Sequence, residues 1–190
     1  MRFLILLLLV LPATTQAHSQ DFNDQYRTTM SRGMTSLLGW SAANLVSGSI
    51  GALTTDGKAR YFHQMNAGWN VVNAGLALAG LRKYHWSEPR ILSTDDLIRD
   101  FTKVQRVFFV NTLFDIGYMA GGLYMRNWGV TQRNPRFQGY GESLILQGAY
   151  LFAFDLVMYL VIKSRNRQVY DSLTVITPSE NGLGIALHFW

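Results

Sequence analysis

Cysteine is absent from the 190 residues. That excludes disulfides, thiolate metal sites and a cysteine nucleophile, and it leaves no residue to carry a lipid anchor behind a leader. Charge is scarce as well, at 15% of the chain, and the net excess of +5 is small. The basic residues sit at the ends of apolar blocks, where they anchor helices at headgroups rather than gather into a nucleic-acid surface. No HExxH, Walker A, GxGxxG or GxSxG pattern occurs. No nucleophile–base pair stands out, so an enzyme is the least favoured reading, and no cofactor is expected.

What is present is a division into long charge-poor blocks and short charged ones. Residues 1–17, MRFLILLLLVLPATTQA, form a secretory-signal pattern. Arg2 is the charged start, Phe3 to Leu11 the apolar run and Thr15-Gln16-Ala17 the small-x-small cleavage site. A polar stretch follows, an amphipathic lead-in helix or an unstructured one. Four apolar segments come next, at 34–53, 63–81, 107–125 and 143–162. Each is long enough to be read as a membrane span. Asp56-Gly57 marks a turn after the first segment, and Arg82-Lys83 ends the second. Pro89 breaks the linker, and Ser93 or Thr94 caps a new amphipathic helix that runs into the third segment. A polar, glycine-containing loop with Asn134-Pro135 precedes the fourth.

The expected architecture is all-α. It is a four-helix transmembrane bundle of two helical hairpins joined by an amphipathic linker helix, over residues 18–168. Residues 169–190 form a tail in which SLTVIT and LGIALHFW read as short β runs, a hairpin or an extended segment. A soluble exported helical bundle is the alternative, because Asn66, Asn70 and Asn73 interrupt the second segment. Against it, the fourth segment is apolar on every face except at Gln147 and Asp155. Orientation is contested. Of the Lys and Arg residues after the leader, eleven fall on the side a working signal would export and five on the other. The positive-inside rule prefers the reverse. The three-part leader pattern is the more specific and is kept, which places the chain in a membrane reached by export.

The polar residues at depth carry the functional expectation. Asp115 is the only ionisable residue of the third segment, and Asp155 stands alone in the fourth. Asn44 and Asn73 lie at similar depth in the first pair. His63, Asn66, Asn70 and Asn73 share one helix face, as do Asn111 with Asp115 and Gln147 with Asp155. An aspartate at a span centre costs roughly 2.5–3.5 kcal/mol. With no Lys or Arg at that depth, the carboxyls are protonated, or bonded to Asn amides, or hold a cation. The candidate ligand set is therefore Asp115, Asp155, Asn44, Asn73, Asn70, Asn66, Asn111 and Gln147. A bland reading stands beside it. Asn and Asp between spans often act only as hydrogen-bond glue, worth about 0.6–2 kcal/mol each. His63 and Glu142 are weak metal candidates. Ala43, Ser47 and Gly51, Gly75 and Ala79, and the Gly117–Gly121 GxxxG permit close helix approach within the chain or in a homo-oligomer. The five tryptophans lie mostly near segment ends and suit an interfacial belt facing lipid.

Three stretches, KARYFHQMNAGWNVVN, FDIGYMAGGLYM and GYGESLILQGAYLFAFDLVMYLV, together resemble a family of small, uncharacterised bacterial membrane proteins with four predicted spans. The resemblance covers residues 33 to 165. It implies a bacterial source and a helical membrane fold, with no assigned activity and no catalytic residues to carry over. With that bacterial source, the export leader leads to the inner membrane, with the outer one left open. The expected role is an integral membrane protein whose interior binds a proton, cation or small polar ligand. The competing role is a structural or assembly component whose polar core only fixes helix packing.

Overall fold

Each helix boundary has a local cause. The structure is a computed structural model. It describes the backbone of residues 2–90, 92–172, 176–179 and 182–185, and the side chains of 20–90, 92–93 and 95–169. The first helix, α1, runs Arg2–Thr54 without a break. The lead-in stretch is thus helical and continuous with the first apolar segment, and the backbone stays helical back to Arg2. Thr55 and Asp56 end α1, and Gly57 takes φ 58, a left-handed conformation that favours glycine, at the start of α2, Gly57–Leu81. The second apolar segment does not stop at Arg82-Lys83. It continues through a five-residue π-helical turn, Arg82–Trp86.

Helix α3 spans Thr94–Thr131. Ser93 caps it, its hydroxyl accepting from Asp96 N at 3.2 Å and donating to Asp96 Oδ2 at 2.8 Å. The expected linker helix is therefore the first part of α3 and not a separate element. Helix α4 spans Pro135–Ser172. The polar loop before it shrinks to residues 132–134. Asn134 Oδ1 accepts from the backbone N–H groups of Arg136 and Phe137, at 3.0 and 3.4 Å, and Pro135 takes the first helical position. Glycines in this region serve contact instead of a loop. A Cβ on Gly141 would lie 2.5 Å from both Arg126 N and Gly122 O, so the α3 and α4 backbones touch there. Two short strands, β1 (Ile176–Ser179) and β2 (Gly182–Ile185), pair antiparallel with Ile176 opposite Ile185. Residues 173–175 and 186–190 of the expected β runs lie outside the described residues.

α1 packs with α2, α3 with α4, and α2 with α4, while α2 and α3 stand apart. The bundle has two ends of opposite character. At the head, formed by residues 20–36, 81–106 and 162–172, the core is apolar, built from side chains such as Tyr26, Met30, Leu97, Phe101 and Ile162. In the remaining stem the order is inverted. Among the described residues, ten of the twelve buried polar ones lie there, including Asn44, Asn70, Asp115 and Gln147. Of the exposed large apolar side chains among the described residues, all but Trp86 fall within residues 46–78, 107–130 and 146–160 of the stem. By length and composition, one helix among the described residues, α4, is able to cross a membrane. The sequence reading counted four.

Close approach follows the expected set of small residues at Gly51 and departs from it at Gly75, Gly117 and Gly121. Gly51 lies flat against the His63 ring and Gly48 against Ala67, joining α1 to α2. Gly117, Gly121 and Gly75 face open space, and Gly122 is the glycine that meets α4.

Candidate functional site

The stem interior holds two polar groups of different kinds. The first is closed. Asn66 on α2 donates to Asn44 Oδ1 on α1 at 2.7 Å. Gln147 on α4 donates to Asn66 Oδ1. Trp40 Nε1 donates to Gln147 Oε1 at 3.1 Å, and Asn44 returns its amide to Trp40 O at 2.8 Å. Every side-chain oxygen of the three amides accepts a bond and every amide nitrogen donates one. Buried polar groups paired this way cost little and fix helix register. Asn70 and Asn73 extend the line along α2, through bonds to Asn66 O at 2.8 Å and to Asn70 Oδ1 at 3.4 Å.

The second group is open. Asp115 on α3 and Asp155 on α4 are 2% and 5% exposed, and their carboxyls are hydrogen-bonding neighbours. Asn111, one turn before Asp115, reaches Asp155. Asp115 Oδ2 is buried and meets no amide, hydroxyl or cationic donor. Gly148 brings the helices together here, since a Cβ on it would lie 3.1 Å from Asp115 O. A hydrogen bond between two carboxyls needs a proton on one of them. Two bare carboxylates at this range need a cation between them.

A cavity of about 250 Å³ adjoins the pair. Asn73, Asn111, Asp115 and Asp155 supply its polar part, and Leu37, Val72, Leu76, Phe114, Leu151 and Phe154 its apolar walls. Trp69 on α2 and Tyr118 on α3 also line it. Their rings meet edge to face at 4.9 Å and bridge the gap between those helices.

His63 and Glu142 stand elsewhere. Glu142 pairs with Lys58 at 3.0 Å and Arg126 at 3.2 Å, tying α4 to α2 and α3. His63 packs on Gly51. Among the described residues no three His, Asp or Glu side chains are grouped to hold a metal ion.

Trp40, Trp69 and Ser143 face the interior although the sequence reading passed over them or placed them at an interface, and Tyr118 stands exposed at the edge of the cavity. The signal was there. Trp40 lies four residues before Asn44, Trp69 four before Asn73, and Ser143 four before Gln147, each on the same face as its polar neighbour. Trp40 also stacks on Tyr150, with ring centroids 3.9 Å apart.

These features define a class, a four-helix bundle with a polar interior. The model of a family of unknown function (DUF6992) matches residues 36–156, and the chain belongs to that family. The matched region contains the closed amide network and both aspartates. No curated protein and no solved structure matches the chain.

Proposed function

We propose that this chain is an integral membrane protein whose stem lies in the bilayer and whose carboxyl pair, Asp115 and Asp155, binds a proton, a cation or a small cationic ligand. The observation that carries the membrane part is the inversion of the stem, apolar outside and polar inside. The exposed apolar side chains of the stem together present on the order of 1,500 Å². Moving that area from water to lipid is worth roughly 35 kcal/mol at 25 cal/mol per Å². Two buried aspartates cost roughly 2.5–3.5 kcal/mol each on insertion scales, so burial of the surface wins. Part of the polar content of α1, α2 and α3 fits the same reading: Ser41, Asn44, Asn66, Asn70, Asn73 and Asp115 are buried, where lipid does not meet them, while Ser36, Ser47, Ser49, Asn111 and Asn127 are exposed.

The two polar groups divide the roles the sequence left open. The closed network of Trp40, Asn44, Asn66 and Gln147 has the form of packing glue. The carboxyl pair has an acceptor without a donor and a cavity beside it, and buried ionisable groups of this kind mark ligand or ion sites. Export through the leader into a bacterial inner membrane is part of this proposal.

The test is made in the host. Membranes holding the native protein are washed with alkaline carbonate, and retention in the pellet is the expected result. In a strain lacking the gene, the Asp115→Asn, Asp155→Asn double variant is then expected to stay in the membrane at normal level without restoring the lost phenotype. Full restoration by that variant removes the binding role and leaves the packing role.

A further inference from the structure

The cavity beside the carboxyl pair is not enclosed by the bundle. Its floor is Leu37 of α1 and Leu151 and Asp155 of α4, while its mouth lies between α2 and α3, the two helices that stand apart. The mouth residues are exposed: Val72 at 62%, Leu76 at 61% and Phe114 at 59%. All three are apolar and sit in the part of the stem read above as facing lipid. The opening is therefore a side door to the bilayer.

Three properties of the cavity specify what fits. The deep end is acidic and needs a donor, since Asp115 Oδ2 is buried without one and Asp155 stands beside it. Asn73, buried, flanks that point, and Asn111, exposed at the mouth, adds a second amide, both able to accept from further N–H groups. The rim carries the Trp69–Tyr118 ring pair, a surface that attracts a cation. The volume, about 250 Å³, is below the usual 300–1,000 Å³ of a drug-sized pocket. It holds a small headgroup and a few carbons, so a longer chain must leave through the mouth between Val72, Leu76 and Phe114.

We infer that the cavity binds an amphiphilic ammonium compound entering from the bilayer, its charged nitrogen on Asp115 and Asp155 and its alkyl chain passing out between α2 and α3. A hydrated inorganic cation fits less well. Among the described residues no third acidic or histidine ligand joins the pair, and the apolar walls would contribute nothing. This inference rests on the membrane reading above.

The experiment uses the full chain in lipid nanodiscs. Dodecylamine brominated on one of its first few carbons is the probe, because bromine quenches a tryptophan at contact range, those carbons stay in the cavity, and Trp69 lines it. Expected is saturable quenching that disappears in Trp69→Phe. The apparent affinity should fall about tenfold or more in Asp155→Asn and in the Asp115→Asn, Asp155→Asn variant. Bromododecanol, which has the chain without the charge, should bind about tenfold more weakly. Val72→Phe with Leu76→Phe narrows the mouth without touching the acids and should weaken the amine alike. Unlabelled dodecylamine should displace the probe, and methylammonium should not. Displacement by methylammonium as good as by dodecylamine leaves the carboxyl site standing and overturns the amphiphile. Quenching that is equal in wild type and the aspartate variants overturns both the site and this inference. A chain that fails to enter the discs and stays in solution overturns the membrane reading itself.

Discussion

Gln147 on α4 donates to Asn66 Oδ1 on α2, and its own Oε1 accepts from Trp40 on α1. One side chain thereby sets the rotation of three helices. Gln147→Leu preserves volume and strips both bonds, leaving Asn66 Oδ1 and Trp40 Nε1 without partners. Each orphaned buried group costs about 1–3 kcal/mol, or nearer 0.6–2 kcal/mol where the unfolded reference also sits in lipid. The variant is expected to unfold at lower temperature in detergent and to lose the near-UV circular dichroism of the stacked Trp40–Tyr150 pair. A melting curve that overlays wild type would mean the network contributes nothing to register.

Two sets of glycines should respond in opposite directions. Gly141→Ala places a Cβ 2.5 Å from Arg126 N and Gly122 O, both backbone atoms that cannot move aside cheaply. Overpacking of this kind costs about 1–3 kcal/mol. Gly117→Ala and Gly121→Ala meet nothing within 4 Å, and alanine is favoured over glycine in a helix by about 0.8–1 kcal/mol. Those two variants are expected to be neutral or stabilising in the monomer. Thermal melts of the three single variants, run side by side, decide it. A Gly121→Ala protein as unstable as Gly141→Ala would show that α3 packs on something through that face.

The contrast between those glycines also shows where sequence reading stops. The helices were legible because four long blocks are poor in charge, and the inward stripe of Asn66, Asn70 and Asn73 was legible because helical spacing puts them on one face. The short loop at 132–134 was not. Gly129, Gly139 and Gly141 carry the composition of a loop, and only the approach of α4 to α3, and at Gly139 to α2, reveals them as contacts. Pairing across helices was hidden for a similar reason. Gln147 and Asp155 share a face of α4, yet Gln147 turns to Asn66 while Asp155 meets Asp115. Spacing gives the face of one helix, and the rotation of its neighbours decides which partner that face meets. Trp40 and Trp69 were read as interfacial by type, when their four-residue offset from Asn44 and Asn73 already tied them to the interior.

Ser93 is the hydrogen-bonded start of α3, and its loss should act locally. Ser93→Ala removes the acceptor for Asp96 N and the partner of Asp96 Oδ2. N-cap losses of this type cost about 0.5–2 kcal/mol. Hydrogen exchange is expected to quicken in the first turn of α3 and to stay unchanged around Asp115, some five turns on. Uniform quickening along α3 would instead mark the cap as part of the global unfolding unit.

Tyr26 gives the head a dependence on alkaline pH. Its ring is 1% exposed, its hydroxyl lies 3.4 Å from that of Tyr84, and the two rings meet edge to face at 5.6 Å. Burial first, then Tyr84 and Asp100 nearby, raises the Tyr26 phenol above its ordinary value near 10. The folded head thus keeps the Tyr26 proton where the unfolded chain releases it. Stability is full below about pH 10, the value of a free phenol, and falls as pH rises above it. The slope contributed by this one group is at most about 1.4 kcal/mol per pH unit. Tyr26→Phe keeps the ring against Phe101, whose centroid is 4.5 Å away, and removes the titrating group. Unfolding measured from pH 8 to 11 is expected to show a downward bend in wild type that flattens in the variant. Equal bends in both proteins would assign the alkaline loss to another residue and leave Tyr26 a packing group alone.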